Sequence, residues 1–436
     1  MLYFLFPFLA LLWLGHPAPR PNPLPARHRA PAPLNELKIV YFGSSVPFGQ
    51  GATNKYGYTS RYSALLAQRN AAGLGAPWTT ANISVPGDNT IKVLERWTRD
   101  LLPQQGRYVV LALALGNEGI HGGGQAKFDQ FKTNMQQLIA QARAQGMVPV
   151  VTNSYTRNDY TAEDYAFIRQ MNLLLHGWAV PTVNMLGAVD DGAGHWAPGY
   201  YDDALHPNDR GHAELAHAWV PSLFDALRAG KPLPHRLASA GSTLAGRRRA
   251  AVRFVPEALV HPFTQVISFR TASTGRLLTL QDSTATGSLR LDPSGRLTYA
   301  SAQAGRLTSA APANDNQWHQ ATLTHYFARG ETLLYLDSVR VGSLRERLHL
   351  RRLTLGGSGA PHRAQYRNWL FYRSGMNAAE IKALAADSLL KSSLELYAPL
   401  DGHRTAAPDS LANLAQSLNV LGSVPGRRKA RQANAR

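Results

Sequence analysis

Short apolar runs alternate with amphipathic stretches between Leu37 and Arg228. The apolar runs have the length of buried strands, and the stretches between them repeat with the helical period. The pattern predicts strands at 37–42, 79–85, 108–115, 148–152 and 181–185, and helices at 58–70, 90–102, 128–145, 162–175 and 210–228. Because strands that alternate with helices are joined by right-handed crossovers, we predict an α/β three-layer sandwich with a five-stranded parallel sheet over residues 35–230.

The pattern changes after residue 230. Residues 231–255 begin with a Pro-, Ala-, Ser-, Gly- and Arg-rich stretch without periodicity and are predicted to be a linker. Beyond them the apolar positions recur every second residue, which predicts strands at 265–270, 276–281, 288–291, 318–324, 332–337, 348–355, 368–372 and 394–401. One helix is predicted at 377–385, where Asn377 is a capping residue. Many short alternating strands are typical of an all-β jelly-roll sandwich, which we place at 256–402.

The two ends of the chain have their own composition. Leu2 to Leu14 is an almost unbroken apolar run, too short for a membrane span but of the length of a secretory signal core. Residues 16–33 are rich in Pro, Ala and Arg, so residues 1–34 are predicted to be a signal peptide and a Pro-rich spacer. We therefore expect an exported protein, either extracellular, periplasmic or at the cell surface. Residues 403–436 are predicted to be a basic tail.

The chain of 436 residues carries a formal net charge of +18. Its basic residues are dispersed, with local runs at 247–249 and 427–429, whereas a nucleic-acid site favours one basic face with interleaved aromatic residues. No nucleic-acid partner is therefore expected, and the charge favours adsorption to anionic polymers or cell surfaces. The chain has no Cys, which excludes disulfides and a thiol nucleophile.

The candidate chemistry lies in loops of the first region. Asp203 and His206 occupy a Pro-, Asn- and Gly-rich loop before the last predicted helix, and Ser44 and Ser45 follow the first predicted strand. A carboxylate can hold the imidazole tautomer while the imidazole accepts a serine proton, as acyl transfer requires. The alternative interpretation is a solvated turn, because Asp, Asn and Gly are common turn residues.

Two further features follow predicted strands of the same sheet. Gly87 follows the second strand and Asn117 follows the third. Since ligands of an open α/β sheet bind beyond the carboxyl ends of its strands, these residues are expected to meet Ser45. The N–H groups of Ser45 and Gly87 and the amide of Asn117 would supply three donors to a developing oxyanion.

This set of residues, in this order, resembles the SGNH hydrolases, also called the GDSL esterases and lipases. The resemblance covers about residues 36–228 and implies a flavodoxin-like fold. By position it assigns Ser45 as the nucleophile, Asp203 and His206 as acid and base, and Gly87 and Asn117 as oxyanion donors beside Ser45. It implies ester hydrolysis without cofactor or metal.

The sequence departs from the family pattern at two positions. Ser44 stands where the family has an Asp, which leaves open whether Ser44 contributes, although the register favours Ser45. Leu115 replaces a glycine that precedes the family's Asn by two residues, and Gly116 is adjacent instead. Neither change removes a proton-transfer group or an oxyanion donor.

Other residues have alternative interpretations. Asp202, Asp203, His206 and His212 could serve as metal ligands, but that hypothesis leaves Ser45 and Asn117 unexplained. His212 is expected instead to pack at the start of the last helix. The glycine-rich loop at 119–124 lacks the ending of a phosphate loop, so it is predicted to form the pocket rim, with His121 contacting substrate.

The second region resembles the laminin-G-like or concanavalin-A-like jelly rolls. The resemblance rests on Trp318-His, on 334–337 followed by Val341-Gly, and on 369–372 with the helix after it. It implies binding of a glycan or a protein, and the alternative is a rigid spacer whose Trp318 and Trp369 are core residues. The oligomeric state is left open.

Together these features predict a secreted serine esterase that hydrolyses carboxylic esters, with O-acyl groups on carbohydrate as the preferred substrate and lipid esters as the second. A cell-surface binding protein without catalytic activity is the hypothesis from another class.

Overall fold

A computed structural model describes residues 33–238, 241–243, 251–283, 286–357, 359–401 and 410–424. The predicted signal peptide and most of the basic tail lie outside these residues, so both stay predictions. No helix in the described ranges is long and apolar enough to cross a bilayer.

The first region contains a parallel five-stranded sheet with helices on both faces, which confirms the predicted α/β sandwich. Its strands are β1 (Asn35–Gly43), β2 (Thr79–Asn82), β3 (Gly106–Ala112), β4 (Val148–Thr152) and β5 (Thr182–Val183). Its α-helices are α1 (Ser45–Phe48), α2 (Tyr58–Ala71), α3 (Thr90–Glu95), α4 (Ile120–Ala144), α5 (Ala162–Gly177), α6 (Leu186–Val189), α7 (Asp209–His217) and α8 (Leu223–Arg228).

The strand order of the sheet is β2-β1-β3-β4-β5. Apolar side chains of β1 and β3 pack into two helix layers, one containing Val40 and Val109 and the other Ile39 and Val110. Both faces of these strands are therefore buried, which explains their continuous apolar runs. The order reverses between β1 and β3, so the crevice at their carboxyl ends is where a ligand of this fold binds.

Two predicted helices are interrupted. The stretch predicted at 210–228 forms α7 and α8, because Pro221 has no N–H to donate and disfavours helical backbone at Val220. The stretch predicted at 90–102 continues after α3 as a π turn over Trp97–Leu101 and a 3₁₀ turn over Leu102–Gln104.

The second region consists of two antiparallel sheets packed face to face, which confirms the predicted sandwich. The larger sheet has the order β12-β11-β10-β9-β16-β7-β20-β19, and the smaller one has the order β15-β14-β13-β8-β17-β18, with β6 pairing β17. The strands are β6 (Ser242–Thr243), β7 (Ala251–Phe254), β8 (Phe263–Arg270), β9 (Gly275–Asp282), β10 (Thr286–Leu291), β11 (Arg296–Ser301), β12 (Gly305–Pro312), β13 (His319–Tyr326), β14 (Glu331–Leu336), β15 (Val339–Arg345), β16 (Leu350–Gly356), β17 (Gln365–Tyr372), β18 (Leu394–Ala398), β19 (Ser410–Leu411) and β20 (Leu421–Val424). Helix α9 (Ala378–Ala385) begins with a capping box between Asn377 and Glu380.

The sandwich extends beyond the predicted bounds of 256–402. Strands β6 and β7 lie within the stretch predicted to be a linker, and β19 and β20 lie within the predicted tail. Strand β7 pairs with β16 on one side and with β20 on the other. These strands are too short to show a clear alternation, and their pairing partners lie far along the chain.

Buried polar contacts join the two regions. Arg373 follows β17 and is 1 % exposed, and its Nη1 lies 2.8 Å from Oε2 of the fully buried Glu395. Its Nε donates to the carbonyl of His217 on α7, and its Nη2 donates to the carbonyl of Leu259. On α9, Oε1 of Glu380 lies 2.9 Å from Nδ2 of Asn184 in the first region. Since these groups are buried and cannot bond water instead, the two regions depend on each other for their hydrogen bonds.

Replacing Arg373 with Met tests this dependence. The change leaves the Glu395 carboxylate buried without its cation, so we expect a loss of about 3–5 kcal/mol in the free energy of unfolding. The measurement is urea unfolding followed by tryptophan fluorescence. Arg340→Met is the matched control, because Arg340 is 56 % exposed and lies 3.9 Å from Glu331. Its loss should stay below about 0.5 kcal/mol, and equal losses in the two variants would contradict the argument.

Candidate active site

Ser45 lies in the turn between β1 and α1. β1 ends at Gly43, where a Cβ atom would come within 2.1 Å of the Ala112 carbonyl oxygen on β3. This glycine lets the chain turn sharply against β3 and start a helix two residues later. Ser45 is 6 % exposed at the first position of α1, whereas Ser44 before it is fully buried. The structure therefore presents Ser45, and not Ser44, at the carboxyl edge of the sheet.

His206 joins Ser45 to Asp203. Its Nε2 lies 3.0 Å from Ser45 Oγ, and its Nδ1 lies 2.8 Å from Asp203 Oδ2. Asp203 Oδ1 also accepts the backbone N–H groups of Leu205 at 2.7 Å and His206 at 2.8 Å. The carboxylate thus fixes both the loop and the imidazole that the loop carries. Serine, imidazole and carboxylate form one hydrogen-bonded chain in the order that proton transfer requires.

The charge of Asp203 is favoured by these bonds. Partial burial disfavours the carboxylate, but the hydrogen bonds from His206 and from the Leu205 N–H outweigh it, and the pKa of Asp203 falls below its ordinary value. An ionised Asp203 accepts a hydrogen bond from Nδ1–H and so leaves the Nε2 lone pair directed at Ser45.

Glycines allow the two distant loops to meet. Gly51 has φ +86°, and a Cβ atom there would lie 2.2 Å from the Pro207 carbonyl oxygen and 3.2 Å from His206 Cβ. His212 on α7 holds the same loop, because its Nδ1 accepts the Tyr58 N–H and its Nε2 donates to the Gln50 carbonyl. Burial lowers the pKa of His212 to about 4, so the ring stays neutral and can do both. His212 thus has the structural role that the sequence predicted.

Gly87 and Asn117 line the same cleft as Ser45 and His206. Gly87 follows β2 with φ +79°, a conformation that favours glycine. Asn117 lies in a 3₁₀ turn after β3, where its Nδ2 donates to the Asp88 carbonyl at 3.0 Å. Its amide has a second hydrogen for a ligand in the cleft. The structure therefore brings together the five residues that the sequence predicted for the triad and the oxyanion donors.

Arg96 anchors the loop that carries Gly87. Its Nε donates to Asp88 Oδ2 at 2.6 Å, and its other nitrogens donate to the carbonyls of Ile83 and Gly43. The guanidinium lies 4.4 Å from the centre of the Phe42 ring and is 6 % exposed. This single buried cation ties the end of β1 to the loop after β2, and sequence reasoning missed it.

Arg157 is a second residue of the cleft that sequence reasoning missed. Its Nη1 donates to Asn117 Oδ1 at 3.2 Å, which orients the amide with its NH₂ group away from the arginine. Asp159 binds the other side of the guanidinium. Gly116 makes room for this contact, since a Cβ atom there would lie 2.7 Å from Arg157 Nη1. That glycine beside Asn117 was the one available signal.

His121 lies elsewhere than the sequence predicted. Its side chain is 67 % exposed, its Nδ1 lies 2.9 Å from Asp164 Oδ2 on α5, and it is not among the residues that line the cleft. The hydrogen bond to Asp164 raises the pKa of His121 and holds the ring on α5. Gly122 and Gly124, both with positive φ, kink the start of α4 at this point. The placement differs from the predicted contact with substrate because the Asp164 carboxylate draws the imidazole toward α5.

The four residues considered as metal ligands are not gathered into a site. His212 bonds backbone groups of the Gln50 loop, and Asp203 bonds His206. Among the described residues, no group of three or more His, Asp or Glu side chains is arranged to hold a metal ion.

The cleft has a volume of about 330 Å³ and offers both polar and apolar surface. Beside the four site residues Ser45, Gly87, Asn117 and His206, it is lined by Gln50, Pro86, Tyr155, Arg157 and Leu205. Such a surface, with a serine hydroxyl at its base and convergent N–H donors, is equipped for attack on a carbonyl carbon.

The fold and this site define a three-layer α/β domain with a serine, a histidine and an aspartate at one edge of its parallel sheet. Residues 41–214 match the GDSL-like Lipase/Acylhydrolase family, whose members are ester hydrolases. The resemblance predicted from the sequence is thereby confirmed. No curated protein matches the chain.

Solved structures similar to parts of the chain are distant. A GDSL-like lipase from Bacteroides thetaiotaomicron is 13% identical, with 44% of this chain and 89% of that one covered and a TM-score of 0.34. An acetylxylan esterase from Geobacillus stearothermophilus is 15% identical, with 42% and 93% covered and a TM-score of 0.35. A pentraxin from Limulus polyphemus is 11% identical, with 34% and 80% covered and a TM-score of 0.26.

Replacing Arg96 with Gln tests whether this residue positions the loop after β2. A small displacement of the Gly87 N–H should lower kcat for p-nitrophenyl acetate by about 10²-fold with little change in KM, because alignment is needed mainly in the transition state. Arg96→Lys should restore part of kcat.

Arg99→Gln is the matched control, since Arg99 is 76 % exposed and bonds Asp100, which Arg96 also contacts. An unchanged kcat in a folded Arg96→Gln protein, judged by circular dichroism, would contradict the positioning role.

Proposed function

We propose that the protein is an exported serine esterase that removes short acyl groups from carbohydrate. The observation that supports catalysis is the continuous hydrogen-bonded chain from Ser45 Oγ through His206 to the Asp203 carboxylate. Ser45 Oγ lies 3.0 Å from His206 Nε2, and His206 Nδ1 lies 2.8 Å from Asp203 Oδ2, which are distances that allow proton transfer.

In the first half of the proposed reaction, Ser45 Oγ attacks the ester carbonyl carbon while His206 Nε2 takes the hydroxyl proton. The imidazolium that forms is stabilised by Asp203 through Nδ1–H. The tetrahedral oxyanion accepts hydrogen bonds from the Ser45 and Gly87 N–H groups and from Asn117 Nδ2. When the intermediate collapses, the C–O bond to the alcohol breaks, His206 returns the proton to the leaving oxygen, and an acyl-serine remains.

In the second half, a water molecule takes the place of the alcohol. His206 accepts one water proton as the hydroxide adds to the acyl carbon, and the same three donors hold the new oxyanion. Collapse breaks the acyl–Oγ bond, Ser45 regains its proton, and the carboxylic acid leaves. Histidine suits both halves because it acts once as base and once as acid in each.

The lining of the cleft supports a short acyl group on a polar alcohol. Around Ser45, Pro86, Leu205 and the Tyr155 ring offer apolar surface that can contact a short acyl group. Gln50, Asn117 and Arg157 can instead bind hydroxyl groups. A carbohydrate ester fits this surface better than a lipid ester.

Export is proposed from the apolar run Leu2 to Leu14 and the Pro-rich stretch after it. Mass spectrometry of the N-terminus of protein secreted by its host tests this proposal. An uncleaved, cell-retained chain would contradict it.

Replacing Ser45 with Ala tests the catalytic assignment. Without the nucleophile, kcat for p-nitrophenyl acetate should fall by about 10⁴-fold or more, as it does when one member of such a triad is removed. Ser44→Ala is the matched control and should retain most of the activity, because Ser44 is buried below the cleft. Equal activity of Ser45→Ala and the unmodified protein would contradict the assignment, and so would loss of activity in Ser44→Ala alone.

The acyl chain is tested with p-nitrophenyl esters of increasing length and with acetylated xylose oligomers. The value of kcat/KM should not rise as the acyl chain lengthens, because CH₂ groups that stay in water add no binding free energy, whereas burial of each added pair would raise it about tenfold. The protein should also release acetate from the acetylated xylose oligomers, measured with the Ser45→Ala protein as the blank. A maximum at eight or more carbons would favour the lipid-esterase alternative.

A further inference from the structure

The outer surface of the larger sheet of the sandwich carries a row of arginines. Core residues such as Leu353, Leu280 and Leu289 point inward from β16, β9 and β10. The alternate positions of the strands therefore point outward. They place five arginines on one surface, and a register shift in the pairing of β9 with β10 brings a sixth, Arg276, opposite Arg290 on the same side. We call this surface the arginine face: Arg253 (β7), Arg352 (β16), Arg276 (β9), Arg290 (β10), Arg296 (β11) and Arg306 (β12).

The register fixes these directions. Arg253 is the Cα partner of Thr354, which is itself the partner of Thr279. Arg290 is the partner of Thr298 on one side and of Arg276 on the other. Residues that oppose each other directly in a sheet leave the same face. The six strands are consecutive in the sheet, so the arginine face extends about 24 Å across it at about 4.8 Å per strand.

The face carries only one sign of charge. Between the arginines, the outward positions hold Thr279, Gln281, Ser288, Thr308 and Thr354, and no Asp or Glu occupies an outward position of these strands in the described residues. Asp282 on β9 is buried and pairs with Leu350. Arg253, Arg290, Arg296 and Arg306 are exposed, and none of their guanidinium groups forms an ion pair among the described residues.

The smaller sheet packs on a helix. Its outer side packs on α9, where Ile381 and Leu384 contact a cluster that includes Val266 and Tyr372. Helix α9 in turn bonds the first region through Glu380. The sandwich thus attaches to the ester-hydrolase domain through the outer side of its smaller sheet and through the loop after β7, whereas the arginine face is the outer side of the larger sheet.

We propose that the arginine face binds an anionic polysaccharide. Guanidinium groups form bidentate hydrogen bonds with carboxylates. The Thr, Ser and Gln side chains between them can bind sugar hydroxyls. Outward positions of these strands hold no aromatic side chain on which nucleic-acid bases could stack, and no large apolar side chain to enter a membrane. A flat, one-sign surface with many hydroxyls fits a polymer that carries an acidic group on each sugar. The proposal does not depend on the esterase assignment.

Affinity electrophoresis of the full chain tests this proposal. The probe is polygalacturonate in the gel, with neutral dextran as the reference polymer. Mobility should fall with polygalacturonate and not with dextran, and the retardation should weaken as salt is added. The Ser45→Ala protein should be retarded equally, so failure of the esterase assignment would leave this result unaffected.

A triple variant, Arg253→Gln with Arg290→Gln and Arg306→Gln, should raise Kd for polygalacturonate by about tenfold. The control with the same loss of charge is Arg99→Gln with Arg143→Gln and Arg228→Gln, which changes three exposed arginines of the first region. Its Kd should change by less than about twofold. Circular dichroism and p-nitrophenyl acetate hydrolysis should be unchanged in the face variant.

Three results would overturn the proposal. The first is the absence of retardation by polygalacturonate. The second is an equal loss of binding in the two triple variants, which would show that net charge alone acts. The third is displacement of polygalacturonate by duplex DNA at a concentration well below that of the polysaccharide, which would identify a nucleic-acid surface.

Discussion

The structure depends on the strand order of the parallel sheet. β1 lies between β2 and β3, so the segments that follow three adjacent strands emerge side by side at one edge. Ser45, Gly87 and Asn117 each occupy the first few residues after one of these strands. Their proximity is a consequence of parallel pairing and right-handed crossovers and requires no direct contact among the three. The loop with Asp203 and His206 then closes over this edge.

The residues that hold the site rigid are less visible in the sequence than those that line it. Ser45, Gly87, Asn117, Asp203 and His206 were predicted because their types and order match an acyl-transfer site. Arg96 and Arg157 were not, because an arginine on a helix or in a loop is usually solvated and nothing in its local sequence shows which carbonyl or carboxylate it will meet. Their partners lie 4 to 53 residues away for Arg96 and up to 40 for Arg157. Such contacts exist only after the loops have packed.

In the second region too, the local pattern predicted the elements but not the contacts between distant segments. The alternation of apolar and polar positions predicted a β-sandwich, and the two packed sheets confirm it. The predicted limits failed at both ends because β7 is held by β16, about 100 residues downstream, and by β20, and short edge segments carry little pattern of their own. The arginines were equally present in the sequence, yet only the pairing register shows that they leave six strands on one face.

The sequence by itself determined the fold class of both regions, because hydrophobic periodicity is a local property that burial imposes on every strand and helix. It also determined which side chains could carry acyl-transfer chemistry, since residue type and order along the chain were enough. Only the tertiary structure decided that Ser45 rather than Ser44 faces His206, that Asp164 holds His121 away from the cleft, and that Arg96 and Arg157 fix the loops around it. The physical reason is that these outcomes depend on distances between segments far apart in the chain, which packing sets and local pattern does not.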